Sequence, residues 1–132
     1  MTAPTFYPAL RYRDPDAAIT WLGDALGFTP KDVYRDDTGT VRHAELRFGD
    51  GIVMLGGFPD EGAEGRLHYE QGVTSTYAYT ADPDALFAKA TGAGAQVAMP
   101  LRDTDYGSRE FSVFDLEGHL WSFGTYRPAT AS

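Results

Sequence analysis

The sequence predicts an α+β fold built from one βαβββ module used twice. The tetrapeptide Asp-Pro-Asp-Ala occurs at residues 14–17 and again at residues 82–85, an offset of 68 residues. Further similarity follows at an offset of 67 residues, where Arg42 corresponds to Arg109 and the turn at residues 50–51 to the turn at 117–118. Helix-like and strand-like patterns come in the same order in both halves. Such a repeat indicates one supersecondary unit used more than once.

Each copy of the tetrapeptide predicts the start of a helix. Asp14 and Asp82 are suited to the N-cap, where a carboxylate accepts hydrogen bonds from free backbone N–H groups. A proline follows each of them at the first helical position, where its missing N–H costs nothing. Apolar residues then recur at helical spacing, and Gly27 and Gly94 are placed to end the helices. Each helix is therefore predicted to lay one apolar face on a sheet.

Strand-like runs flank both helices, and glycine-containing turns join the last two runs of each half into hairpins. Each half therefore follows the order β-α-β-β-β. The predicted strands cover residues 6–12, 32–35, 41–48 and 52–56 in the first half, and residues 73–80, 96–101, 109–114 and 119–126 in the second.

The chain of 132 residues is long enough for one compact domain. We expect a single domain over residues 1–132. Module one covers about residues 5–57 and module two about residues 73–126. A polar, glycine-rich linker at about residues 58–72 joins them.

Composition excludes several classes of partner. The formal net charge of −8, with 11 basic residues, argues against nucleic acid, because phosphate binding needs a basic face. No apolar run approaches the ~20 residues of a membrane span, so no membrane partner is expected. The N-terminus has no signal-peptide pattern, and the expected location is cytoplasmic. The absence of cysteine excludes disulfides and thiolate chemistry.

The duplicated βαβββ arrangement resembles the vicinal oxygen chelate superfamily. The resemblance rests on Leu26-Gly27-Phe28 at the end of the first helix and on the run YGSREFSVFDLEGHLWSF at residues 106–123. The group includes glyoxalase I, extradiol dioxygenases, fosfomycin-modifying enzymes and bleomycin resistance proteins. The resemblance implies an open, cup-shaped mixed sheet with the helices on the outside, and a homodimer. It does not assign a reaction, because fold does not fix chemistry.

In metal-using members of this group, four ligands point into the cup, one from the first and one from the last strand of each module. The corresponding positions here are Tyr7 and Ser75, seven residues before each helix-opening aspartate, and Leu55 and Ser122, four residues after each turn glycine. None of these is a usual ligand for a divalent cation, which prefers imidazole or carboxylate groups at such a site. The resemblance therefore implies a member with no metal site and no cofactor.

Strand alternation extends these positions to a predicted cup lining. Its tyrosines suit stacking on planar rings and cations, although they could equally fill the interior of a small curved sheet. The opposite face is expected to pack under the helices through Leu10, Ile52, Met54, Trp121 and Phe123. The predicted ligand-binding residues are Tyr7, Arg11, Leu55, Ser75, Tyr77, Tyr79, Tyr106, Arg109, Ser122 and Tyr126.

Two further features have both a functional and a structural interpretation. His43 and Glu45 face the predicted cup on one strand and are candidate catalytic residues, either as an acid/base pair or as a salt-bridged pair. Arg109 is first interpreted as part of a structural ion pair, and alternatively as an anchor for a ligand carboxylate or carbonyl.

The predicted function is a metal-independent, small-molecule binding protein of the glyoxalase/bleomycin-resistance type. It would sequester an aromatic natural product or drug, as in antibiotic resistance. The alternative is a metal-dependent or metal-free lyase, isomerase or dioxygenase-like enzyme that acts on a small oxygenated substrate. A protein with only a structural or partner-binding role is the third interpretation.

Overall fold

The computed structural model describes residues 4–57 and 73–128, so the predicted linker at 58–72 and the last four residues lie outside the described residues. The elements follow the predicted order βαβββ twice. They are β1 (Ala9–Arg11), α1 (Pro15–Leu26), β2 (Thr29–Arg35), β3 (Val41–Phe48), β4 (Gly51–Gly56), β5 (Ser75–Tyr79), α2 (Pro83–Gly92), β6 (Gln96–Asp103), β7 (Arg109–Phe114) and β8 (Leu120–Gly124).

The two helices begin and end as the sequence predicts. The Asp14 carboxylate accepts a hydrogen bond from the backbone N–H of Ala17, and the Asp82 carboxylate accepts one from Ala85, both at 3.0 Å. Gly27 ends α1 in the left-handed conformation, with a φ of 82° that glycine adopts without strain. No helix in the described ranges is long and apolar enough to cross a membrane.

Each module forms its own four-stranded mixed sheet, in the order β1-β4-β3-β2 for module one and β5-β8-β7-β6 for module two. The first strand of each module runs parallel to the last, and the other neighbours are antiparallel. The sheets stay open. The predicted α+β class with two repeated modules is therefore confirmed.

The modules share one hydrophobic core. The Phe28 ring of module one lies 5.2 Å from the Trp121 ring of module two, and the Phe48 ring lies 5.4 Å from the Phe123 ring. Trp121 and Phe123 are fully buried, as predicted. Each sheet thus has one buried face, which the helices and the other module cover, and one open face.

The predicted orientation of Leu55 towards the cup is wrong. Leu55 is 1% exposed and pairs with Leu10 on β1 and Ala44 on β3, which are also buried in the core. Val53, two residues earlier, is buried as well. Met54 occupies the other face and is half-buried. The two faces of β4 are therefore exchanged relative to the prediction.

Turn length explains this exchange. In module one, Phe48 pairs with Gly51 across a two-residue turn. In module two, the Asp115 N–H donates to the His119 carbonyl across a three-residue turn. The turn before β8 is one residue longer than the turn before β4. A residue four positions after the turn glycine therefore lies on the buried face of β4 but on the open face of β8. The structural counterpart of Ser122 is therefore Met54.

A buried carboxylate joins the modules. Asp115 Oδ2 accepts hydrogen bonds from the Tyr12 hydroxyl (2.5 Å) and from the Trp121 Nε1–H (3.0 Å). Asp115 Oδ1 accepts from the backbone N–H groups of Glu117 (3.0 Å) and His119 (3.1 Å). Four donors therefore compensate the lost hydration of this carboxylate. Burial, together with the Asp115 charge, raises the pKa of Tyr12, so its phenol remains a neutral donor.

The same turn holds the junction between β1 and α1. Glu117 accepts hydrogen bonds from the backbone N–H groups of Arg13 (2.6 Å) and Asp14 (2.9 Å). His119 Nδ1 accepts from the Thr74 N–H, so Nε2 carries the proton and donates to the Arg11 carbonyl (3.0 Å). We call Tyr12, Asp115, Glu117, His119 and Trp121 the inter-module clamp.

Removing the phenolic hydroxyl of the clamp should destabilise the fold. Tyr12→Phe keeps the ring but leaves a buried carboxylate oxygen with one donor fewer, at a cost of about 1–3 kcal/mol in the free energy of unfolding. Urea denaturation followed by tryptophan fluorescence would measure it. Tyr34→Phe, at an exposed position on β2, is the control and should change little. Equal stability of both variants and the wild type would contradict a stabilising role for the clamp.

Candidate functional site

The open face of the second sheet gathers several of the predicted ligand-binding residues. Tyr77 on β5 lies beside Ser122 on β8, and Ser122 lies beside Ser112 on β7. The hydroxyl groups of Ser112 and Ser122 are 2.7 Å apart and form a hydrogen bond. The centre of this face is therefore hydroxylic, and it is flanked by an aromatic ring.

Three tyrosine rings meet at one end of this face. The Tyr126 ring lies edge to face with the Tyr106 ring (5.9 Å) and with the Tyr77 ring (6.5 Å). The Tyr77 hydroxyl donates to the Tyr126 carbonyl (2.7 Å), and the Tyr126 N–H donates to the Ser108 hydroxyl (3.0 Å). We call Tyr77, Tyr106 and Tyr126 the tyrosine cluster. Its members are 38%, 58% and 47% exposed, so these rings present their surface to solvent instead of filling an interior.

A carboxylate lies within the tyrosine cluster. Glu110 Oε1 accepts a hydrogen bond from the Tyr106 hydroxyl (2.8 Å), which raises the pKa of Tyr106. Glu110 forms no ion pair within residues 4–57 and 73–128, although its cross-strand neighbour on β6 is Arg102. The Arg102 Nε–H instead lies 2.8 Å from the Met99 sulfur.

Gly124 makes this close arrangement possible. A Cβ atom at position 124 would lie 2.5 Å from the Glu110 Cγ and 2.8 Å from the Tyr77 hydroxyl oxygen. Distances below 3.0 Å require one of these groups to move. The absent side chain therefore allows the carboxylate stem and the phenol to converge over β8.

Sequence analysis did not identify Glu110. The repeat contains the signal, because the structural counterpart of Glu110 at an offset of 67 residues is His43, which was assigned to the open side of its strand. In β7 the buried residues Phe111 and Val113 alternate with Glu110 and Ser112. Extending the prediction for β3 to β7 would have placed Glu110 on the open face.

The remaining predicted ligand-binding residues lie elsewhere. Ser75 begins β5 and is exposed, and Tyr79 ends it with the Arg127 guanidinium 3.9 Å from its ring centroid. Tyr7 precedes β1 in module one and is 38% exposed. Arg11 ends β1, where its guanidinium donates to the Gly57 carbonyl (2.9 Å). These positions border the two sheets and do not belong to the tyrosine cluster.

Arg109 takes part in structural ion pairs, which was its first interpretation. Its guanidinium makes two hydrogen bonds to the Asp84 carboxylate in the first turn of α2 (2.7 and 3.2 Å). It also lies 3.3 Å from the Asp103 carboxylate on β6. Arg109 therefore tethers α2 to its sheet, and two carboxylates already occupy the group proposed as a ligand anchor.

The candidate catalytic pair is brought together on the open face of the first sheet. His43 Nε2 lies 3.0 Å from Glu45 Oε2, and the Lys31 ammonium lies 3.4 Å from the other oxygen of Glu45. The hydrogen bond from His43 and the Lys31 charge lower the pKa of Glu45. A carboxylate with a lowered pKa is a weaker base, so this geometry fits the salt-bridged interpretation better than acid/base catalysis.

The family's metal positions do not fit a divalent cation in this chain. Tyr7, Ser75 and Ser122 stand at three of them, and the fourth holds Met54 once the turn length is taken into account. These side chains offer phenol, hydroxyl and thioether groups where such a cation prefers imidazole or carboxylate. Within the two described ranges, no group of three or more His, Cys, Asp or Glu residues is placed to hold a metal ion.

A duplicated βαβββ unit with two open mixed sheets defines the fold class of the protein. The family model described as the glyoxalase/bleomycin resistance protein/dioxygenase superfamily matches residues 6–123. The chain belongs to this superfamily. Among curated proteins, it is 30% identical over 125 residues to the uncharacterized protein Rv0887c of Mycobacterium tuberculosis, covering 92% of this chain and 74% of that protein.

Solved structures show the same fold. TioX from Micromonospora sp. ML1 is 36% identical, with a TM-score of 0.75 over 90% of this chain and 97% of TioX. A glyoxalase-related enzyme from Clostridium phytofermentans is 19% identical (TM-score 0.70, 94% and 95% covered). Lactoylglutathione lyase from Agrobacterium tumefaciens is 18% identical (TM-score 0.67, 93% and 95% covered). The last two likenesses concern the fold alone.

The contact between Tyr106 and Glu110 can be measured by titration. Glu110→Gln should lower the pKa of the Tyr106 phenol towards its ordinary value, because the neutral amide no longer favours the protonated phenol. Phenolate absorbance would be measured against pH for the wild type and for Glu110→Gln, each with and without Tyr106→Phe. Subtracting the curve of the Tyr106→Phe version leaves the titration of Tyr106 in each background. Identical difference curves in the wild-type and Glu110→Gln backgrounds would mean that the two groups do not interact in solution.

Proposed function

We propose that this chain is a metal-independent binding protein that sequesters a planar aromatic, cationic small molecule on the open face of its second sheet. The observation that carries the proposal is the tyrosine cluster around Glu110. Three exposed rings offer stacking surfaces, and the carboxylate beside them has no basic partner within 4.0 Å in the described part of the chain. Membership of a superfamily that includes bleomycin resistance proteins supports it.

Rings and charge would act together on such a ligand. An aromatic face attracts a cation by about 0.5–2 kcal/mol, more as water is excluded. Glu110 would provide the opposite charge, and the hydroxyl groups of Ser112 and Ser122 would bind polar substituents of the ligand. The net charge of −8 would also favour the approach of a cation over that of an anion.

A homodimer completes the proposal. One open sheet contacts a flat ligand from one side only, whereas small-molecule sites bury most of the ligand surface. A second copy of the chain would cover the other side, in keeping with the dimers that are common in this superfamily. Sequestration inside a cytoplasmic homodimer would give the ligand an enclosed site and the cell a means of antibiotic resistance.

Charge selectivity would test the role of Glu110. N-methylacridinium and acridine have nearly the same shape, and under mildly basic conditions only the first carries a charge. Glu110→Gln should weaken N-methylacridinium about tenfold and leave acridine nearly unchanged, while Tyr106→Ala should weaken both. Fluorescence titration of the wild type and both variants with each compound measures the six dissociation constants.

Tyr34→Ala removes an exposed tyrosine from the first sheet and serves as the matched control. Its affinities should equal those of the wild type. The proposal fails if the wild type binds neither compound saturably. It also fails if Glu110→Gln weakens both compounds to the same extent.

Metal independence has its own measurement. Protein prepared without a polyhistidine tag should contain far less than about one divalent ion per chain, because hydroxyl and thioether groups are poor ligands for such ions. Elemental analysis by mass spectrometry after dialysis would determine the content. A stoichiometric metal that survives dialysis would contradict this part of the proposal.

A further inference from the structure

The two junctions between the modules differ although the modules are related. At one junction, the β7–β8 turn of module two holds the start of α1 through the inter-module clamp. The equivalent junction lies between the β3–β4 turn of module one and the start of α2. A cavity of about 550 Å³ is found there, lined by residues 48–53 and 76–81 together with Phe6, Pro8, Phe28, Trp121 and Arg127.

The clamp residues and their counterparts explain the cavity. Counted from the two N-caps, Tyr12 corresponds to Thr80, so a phenol is replaced by a small hydroxyl. Counted along the last strands, His119 corresponds to Gly51, so an imidazole is replaced by a hydrogen atom. Both Thr80 and Gly51 line the cavity. The space exists because large side chains of one junction are missing from the other.

The two junctions also differ in whether a carboxylate of the turn accepts hydrogen bonds from the backbone at the start of the neighbouring helix. Glu117 reaches the backbone N–H groups of Arg13 and Asp14 from its three-residue turn. The turn of module one is one residue shorter and ends in Asp50, and Asp50 forms no hydrogen bond to Ala81 or Asp82, the counterparts of Arg13 and Asp14. Within the described ranges, the N–H of Asp82 has only a long contact to the Thr80 hydroxyl (3.4 Å).

The cavity has the make-up of a small-ligand site. Its volume lies within the usual range of about 300–1,000 Å³. Phe28, Phe48 and Trp121 contribute apolar residues to its lining. The Arg127 guanidinium, which stacks on Tyr79 and forms no ion pair with the described residues, supplies a positive charge at the rim.

We propose that this cavity, which we call the junction groove, is a second ligand site that shares only Tyr77 with the tyrosine cluster and is selective for a flat, apolar organic anion. The ring system would occupy the space that the Tyr12 and His119 side chains fill at the other junction. The anionic group would lie near Arg127 and the amides of Ala81 and Asp82, as the Glu117 carboxylate lies near those of Arg13 and Asp14. Asp50, on the same rim, would oppose the anion.

Anilinonaphthalene sulfonate is a suitable probe, because it is a planar apolar anion whose fluorescence rises in apolar sites. At low ionic strength, Arg127→Gln should weaken its binding up to about fivefold, and Asp50→Asn should strengthen it about twofold. Thr80→Tyr should fill the groove and weaken binding at least about tenfold. These opposite signs separate the junction groove from unspecific binding of the dye.

Three controls make the test decisive. Thermal unfolding shows whether each variant is folded. If Thr80→Tyr does not fold, the Arg127→Gln and Asp50→Asn variants still test the proposal, because both residues are exposed. Tyr106→Ala and saturating N-methylacridinium should leave the dissociation constant of the sulfonate within about twofold of its original value. Unchanged binding in both Arg127→Gln and Asp50→Asn would overturn the junction groove, whatever the result for the tyrosine cluster.

Discussion

The arrangement of the two modules depends on one buried carboxylate. Asp115 receives hydrogen bonds from a phenol, an indole and two backbone amides, and these donors come from both modules. A carboxylate taken out of water is tolerated only when such partners replace its hydration. This requirement fixes Tyr12 against the turn of module two. Because the buried faces of both sheets are then turned to one shared core, the other two faces remain open to solvent.

Local chemistry allowed most of the fold to be predicted, whereas the site depended on contacts distant in sequence. Asp14, Asp82 and Gly27 act within a few residues of themselves, so their roles could be predicted correctly. The orientation of Leu55 could not be predicted, because it depends on the extra residue in the β7–β8 turn. Aligning the turn glycines of the two modules does not reveal that residue. Glu110 could have been predicted from the repeat. Its contact with Tyr106 and its approach to Gly124 depend on how β7 and β8 pair, which the sequence does not state.

The two modules share a backbone plan and differ in what their open faces carry. On the first sheet, Glu45 is shared between His43 and Lys31, so the charges are neutralised within the protein. On the second sheet, Glu110 receives only a phenolic hydroxyl among the described residues and lies beside exposed rings. The open face of the first sheet therefore neutralises its carboxylate within the protein, whereas the open face of the second sheet leaves one available, which is why the second sheet is the better candidate for recognition.

The single extra residue in the turn of module two also has an evolutionary meaning. In a symmetric pair of identical modules, any insertion appears at both junctions, so both would be fastened or both would be left open. Duplication within one gene removes that constraint, since each copy can then change alone. One junction could acquire Asp115 and its partners and secure the molecule, while the other was released from that task. Joining the two modules in one chain therefore allows the two junctions to differ, one secured by Asp115 and its partners and the other left with a cavity.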